Sequence, residues 1–168
     1  MKKLVLIRHA KSEWANVVVK DFDRSLNTRG FSDAPKMGLQ LKSLTNKPDL
    51  VISSPAERAK LTAQLVLEQV DYDFDAVQWD EEVYEASART LMNVINAIPD
   101  EYETVWMFGH NPGFSYLAEY LTAGEVGNIP TCGVFAMEFE LTSWAMISQN
   151  TGSKVFYIYP KLKEGEED

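Results

Sequence analysis

Residues 4–7 read Leu-Val-Leu-Ile and run directly into Arg8 and His9. An unbroken apolar run of this length, flanked by charge, describes a strand covered on both faces, the kind found in the middle of a parallel sheet. Arginine and histidine are too polar to continue into a core, so the strand ends there. Ligands bind at the carboxyl ends of strands in open α/β sheets. The pair is therefore a candidate site with an anion as its expected ligand. On this stretch alone, a histidine that only caps the strand is the competing reading.

The same arrangement recurs along the chain. Thr28 is expected to cap a helix to about Leu44, with Pro35 near its start and Met37, Leu41 and Leu44 on one face. Asn46-Lys47-Pro48 breaks it, and Asp49 to Ser53 forms a second short buried strand. Ser54-Pro55 opens the next helix, with Leu61, Leu65 and Val66 inward and Gln69 outward. Ala76 to Trp79 suits a third strand, and Ser87 caps a helix through Ala97 that stops before Pro99. Thr104 to Phe108 is another continuous apolar run, followed by Gly109-His110-Asn111-Pro112 and a helix from about Phe114 to Leu121, ended by Gly124. Val134 to Leu141 and Lys154 to Tyr159 read as late strands, a possible hairpin. Alternation of this kind implies an α/β fold, with residues 1–160 as one domain and 161–168 as an acidic, solvated tail.

Composition removes several classes. The net charge of −9 argues against nucleic acid, whose phosphates need clustered Lys and Arg. Arg8, Lys11, Arg24, Arg29 and Arg58 nevertheless gather in the first third. No apolar run is long enough to span a bilayer, and the N-terminal run is too short for a signal peptide, so no membrane association is expected. One cysteine, Cys132, fits a reducing cytoplasm, and with two histidines it is poor material for zinc. No metal and no cofactor is expected.

Three strands thus end in phosphate-suited groups: Arg8-His9, Ser53-Ser54 with Arg58 one turn later, and Gly109-His110 at a helix start. If the strands are parallel neighbours, all of these groups face one crevice. Arginine offers a planar, permanently charged fork for phosphate oxygens, and helix N-termini add free N–H donors. A neutral histidine can attack phosphorus and carry the phosphoryl group covalently. The other can stabilise charge on the equatorial oxygens, a role worth ~2.7–4 kcal/mol per donor.

Arg8-His9-Ala10-Lys11-Ser12, Ser53-Ser54-Pro55-Ala56-Glu57-Arg58-Ala59 and Gly109-His110-Asn111-Pro112, in that order, resemble the histidine phosphatase superfamily, the phosphoglycerate-mutase-like proteins. Small size, Ala10 in the Arg-His-Gly motif, and Asp23-Arg24-Ser25-Leu26 with Arg29-Gly30 are most similar to its SixA-type phosphohistidine phosphatase branch. The resemblance runs from Lys3 to about Trp144. It implies a three-layer αβα sandwich with a mainly parallel central sheet, His9 as the phosphorylated nucleophile, and Arg8, Arg58 and His110 as the phosphate pocket. Arg24 stands where this branch keeps an arginine; a surface salt bridge is its other reading. Glu85 stands where the larger family places its general acid, with Glu81 and Glu82 as confusable neighbours and a solvated acidic loop as the alternative.

The expected activity is a metal-independent phosphatase acting on phosphohistidine in a protein. A small phosphate ester is the alternative substrate, and a phosphopeptide-binding module without turnover is the second alternative. A P–N bond to imidazole needs less help from an acid than an alkoxide does. The stretch from Asp71 to Thr104 is too short for a lid, which favours an open pocket and a protein substrate. Trp14 is placed at the pocket mouth, Trp79, Trp106 and Trp144 in the core. Cys132 has no visible base partner and is not read as a nucleophile. Lys11 either touches phosphate or points to water.

Overall fold

The computed structural model describes residues 1–14 and 18–161; residues 162–168 of the acidic tail lie outside them. β1 spans Lys2–Arg8, α1 Thr28–Leu44, β2 Leu50–Ser53, α2 Glu57–Gln69, β3 Gln78–Trp79 and α3 Ala88–Asn96. β4 follows at Thr104–Gly109, α4 at Gly113–Thr122, β5 at Val134–Phe139 and β6 at Gly152–Ile158. The sheet order is β3-β2-β4-β1-β5-β6. β3, β2, β4 and β1 run parallel; β5 is antiparallel to β1, and β6 to β5, as the expected hairpin.

Alternation along the strands divides the core in two. Leu4, Leu6, Val105 and Met107 face α3 and α4 through Leu91, Ile95, Phe114 and Leu117. Val5, Ile7, Trp106 and Phe108 face α1 and α2 through Met37, Leu41, Ala63 and Val66. A strand with both sides covered has no polar face to expose, which is why β1 and β4 read as continuous apolar runs. The result is a three-layer αβα sandwich. No helix among the described residues is long and apolar enough to cross a membrane.

Local details depart from the sequence expectation where backbone geometry chose between neighbours. Asn27, not Thr28, caps α1: its side chain accepts from the Gly30 N–H at 2.9 Å. Pro35 sits two turns inside that helix, and Leu44 is exposed at the end of its last turn. α2 begins at Glu57, two residues beyond Pro55, and Gln69 is half-buried rather than outward. α4 ends on Ala123, which takes the left-handed conformation (φ 57°) expected of Gly124. β3 keeps only two residues at the sheet edge, so Trp79 is exposed and packs edge-on to Phe74, with the Lys60 ammonium 5.6 Å from its ring centre. Trp106 and Trp144 are fully buried, as expected.

Candidate active site

The parallel pairing sets the site's geometry. In the β1–β4 register, Arg8 lies opposite Gly109, so the two strands stop at the same level and the next residue of each is a histidine. The His9 N–H donates to the Gly109 carbonyl at 3.0 Å, and the His9 carbonyl accepts from the Cys132 N–H at 3.0 Å. The ring centres of His9 and His110 are 5.2 Å apart. β2 ends beside β4, and the Ser54 N–H donates to the Phe108 carbonyl. A cavity of about 310 Å³ opens above these ends, lined by Arg8, His9, Arg24, Arg58, Glu85 and His110 together with Lys11, Ser12, Trp14, Asn111 and Thr131.

The two rings are held differently. His9 places Nδ1 2.8 Å from the Ala10 carbonyl oxygen. A carbonyl only accepts, so Nδ1 carries the proton and Nε2 keeps its lone pair. The Ala10 peptide is itself fixed, because its N–H donates to Thr62 Oγ1 at 2.9 Å and that hydroxyl donates to the Arg58 carbonyl at 2.7 Å. His110 places Nε2 2.8 Å from Ser54 Oγ, a hydroxyl that also accepts from the Ala56 N–H at 3.2 Å. Burial pushes the His9 imidazole well below its usual value, with His110, Arg58 and Arg8 adding to the effect against the Ala10 hydrogen bond. His110 is pushed down to about 3, by burial first and then by Arg58. Both rings are neutral at pH 7, and a neutral His9 is a competent nucleophile.

Charge around the rings is supplied and held in place by hydrogen bonds. Arg8 Nη1 donates to the Ile129 carbonyl at 2.8 Å. Arg58 is buried at the start of α2 and donates from Nη1 to the Asp21 carbonyl at 2.7 Å and from Nη2 to the Asp21 carboxylate at 3.0 Å. Arg24 is buried as well as salt-bridged, donating to Ser12 Oγ and to Asp21 at 3.0 Å. Its guanidinium carbon lies 3.6 Å from the centre of the exposed Trp14 ring, which thus stands at the mouth. Tyr84 donates from its hydroxyl to Asp21 at 2.6 Å and sets its ring edge-on to His110, centres 5.5 Å apart.

Of the residues selected from sequence, Arg8, His9, Arg24, Arg58, Glu85, His110 and Lys11 all line the one cavity. Glu85 is exposed at the rim with φ 50°. Gly113 lets α4 start against the Ala86 carbonyl, where a Cβ would collide. Glu81 and Glu82 are not among the lining residues. The Cys132 thiol is fully buried and burial pushes its pKa upward, away from thiolate chemistry. Among the described residues no group of three or more His, Cys, Asp or Glu could hold a metal ion. Asp21 was not foreseen: one acidic residue in a loop carries no pattern, and its importance appears only when Arg58, 37 positions away, folds onto it. A larger hollow of about 920 Å³ between α1 and β6 has neither histidine in its lining, so the smaller cavity is the candidate.

Residues 4–111 match the model of the histidine phosphatase superfamily, branch 1. An uncharacterised chloroplastic protein of Arabidopsis thaliana is 32% identical over 152 residues, covering 85% of this chain and 69% of its own. The crystal structure of SixA from Agrobacterium tumefaciens superposes with a TM-score of 0.80 at 27% identity, covering 95% of this chain and 99% of that one. The protein histidine phosphatase SixA solved with tungstate shares the fold, with a TM-score of 0.78 at 19% identity over 93% of this chain and 96% of that one.

Proposed function

The chain belongs to the histidine phosphatase superfamily, on its SixA-type branch, and from that premise we propose that it hydrolyses phosphohistidine on a protein through a phosphoryl-enzyme on His9. The observation that carries the proposal is the Nδ1–Ala10 hydrogen bond. It leaves the His9 lone pair on Nε2, in a cavity shared with a second neutral histidine and three arginines.

In the first step Nε2 attacks phosphorus, an N–P bond forms and the bond to the leaving group breaks. The leaving imidazole takes a proton from Glu85 or from water. In the second step water attacks the phosphorus on His9, passes a proton to the Glu85 carboxylate or to solvent, and the N–P bond breaks to release inorganic phosphate, restoring the neutral ring. Arg8, Arg58 and His110 stabilise charge on the equatorial oxygens, and Arg24 adds a fourth contact. No step draws on a metal.

A protein substrate is favoured because the span between α2 and β4 is taken up by two short 3-10 turns, β3 and α3, and because Trp14 and Glu85 stand exposed at the mouth. One observation favours a second reading: Glu85 lines the cavity, where it could protonate an alkoxide, as a small phosphate ester requires. The test compares phosphate release from a phosphohistidine-bearing protein and from a panel of alkyl phosphates, with His9→Ala as control. Release from the protein that disappears in the variant is the expected result. Release from alkyl phosphates alone, lost in Glu85→Gln, assigns the chain to the small-molecule esterases. Phosphate binding without release from either makes it a binding module.

A further inference from the structure

We infer that Asp21 is a positioning residue for the phosphate pocket: it holds Arg24, Arg58 and Tyr84 in one arrangement, an inference that rests on reading this cavity as a phosphate site.

Asp21 opens a short 3-10 turn, Asp21–Asp23, in the connection between β1 and α1. From there it touches three separate parts of the site. One carboxylate oxygen accepts from Arg24 at 3.0 Å; the other accepts from Arg58 at 3.0 Å and from the Tyr84 hydroxyl at 2.6 Å. The Asp21 main-chain carbonyl accepts the second terminal nitrogen of Arg58 at 2.7 Å. Arg58 is thereby gripped by both arms of its fork, a geometry that fixes the plane of the guanidinium. Both arginines keep a buried Nε–H with no acceptor among the described residues. Their terminal nitrogens are anchored to protein, and a donor remains on each that nothing among the described residues uses.

Asp21 is not the missing acid. Three donors hold its carboxyl well below the usual carboxylate range, against the opposing effect of burial, so it has no proton to give. The Tyr84 phenol that donates to it is pushed up to about 12, by burial and then by Asp21 itself, and stays protonated. Through that phenol Asp21 also fixes the ring that stands edge-on to His110.

Two effects of this carboxylate on a phosphate oppose each other. Its charge repels the anion, and its hydrogen bonds aim the arginines. The Asp21 side chain is 42% exposed while those of Arg24 and Arg58 are 10% and 5% exposed. Solvent screens the repulsion, whereas the orientation of a buried fork depends on short-range contact, so positioning prevails.

The sign of that balance is measurable. Binding of inorganic phosphate to the whole chain is followed by calorimetry for the unsubstituted protein, Asp21→Ala, Asp21→Asn and Tyr84→Phe. Thermal melting and the 15N signals of the Arg Nε–H groups are recorded alongside. Asp21→Ala is expected to weaken phosphate by about 10-fold and to broaden the Arg24 and Arg58 Nε–H signals. Asp21→Asn, which keeps one acceptor, is expected to weaken it by about 3-fold, and Tyr84→Phe by less. If Asp21→Ala does not fold, Asp21→Asn carries the same sign test. Equal or tighter binding in the Asp21 variants makes the carboxylate a competitor of phosphate and overturns the inference. Failure of the unsubstituted protein to bind phosphate overturns the phosphate reading of the cavity, and this inference with it.

Discussion

The two histidines end neighbouring parallel strands at the same level, yet they are restrained by different chemistry. His9 is bonded to a main-chain carbonyl, which can only accept. His110 is bonded to the Ser54 hydroxyl, which can donate or accept. The first restraint fixes one tautomer and exposes one lone pair; the second leaves the ring free to exchange which nitrogen bears the proton. A nucleophile needs the first property. A group that must follow charge as it builds on phosphate oxygens and then leaves again is served by the second. Strand pairing makes the positions equivalent, and the hydrogen-bond partner of each ring is what would separate the proposed roles.

The largest expected effect breaks the pair directly. His9→Ala should lower turnover by at least about 10⁴-fold, since loss of a nucleophile stops the covalent route. His110→Ala should cost about 10²–10³-fold, the scale of one stabilising donor. Alkali-quenched labelling with a 32P-phosphohistidine protein, conditions under which the N–P bond survives, distinguishes them: His110→Ala still forms label slowly, and His9→Ala forms none. Label in His9→Ala would reverse the assignment.

A smaller effect sharpens the contrast through the groups behind the rings. Thr62→Val keeps shape but leaves the buried Ala10 N–H without its acceptor. That should cost about 1–3 kcal/mol of stability, seen in urea melts. Ser54→Ala removes the partner of His110 and should lower kcat by about 10-fold. If Ser54→Ala is silent in kcat, the hydroxyl is not what tunes His110.

The smallest effect is read without substitution. Both imidazoles have pKa values lowered by burial, His110 to about 3. In the unfolded chain each would titrate near 6.5. Below about pH 6.5 the unfolded state binds more protons than the folded one, so stability is complete above that value and is lost as the pH falls, for His110 down to about 3, by up to about 1.4 kcal/mol per pH unit per histidine. The chain has only two histidines, so ring NMR signals report on both without assignment problems. Neither should titrate between pH 5.5 and 8; a normal transition near 6.5 would show that the ring is solvated.

Much of this was legible in the chain. β1 and β4 were readable because strands buried on both faces cannot alternate, and the hairpin of β5 and β6 because its strands lie close in sequence. Arg8, His9, Arg58 and His110 were readable because each follows or nearly follows such a run. Capping was misread wherever two adjacent residues could do the same work, as with Asn27 beside Thr28 and Ala123 beside Gly124. Trp79 was misplaced because a two-residue edge strand has no second layer to cover it.

The sequence by itself determined the parallel α/β core, the strand ends at which the candidate site residues sit and the types of group found there. These follow from local pattern, since hydrophobic period and a sudden change to charge are properties of neighbours along the chain. Tertiary structure alone decided the strand order that puts β4 between β1 and β2, the tautomer of His9, and the capture of Arg24, Arg58 and Tyr84 by Asp21. Each of these is a hydrogen bond or pairing whose geometry the fold sets. Such a bond depends on ångström-scale distance and direction, which no local pattern encodes.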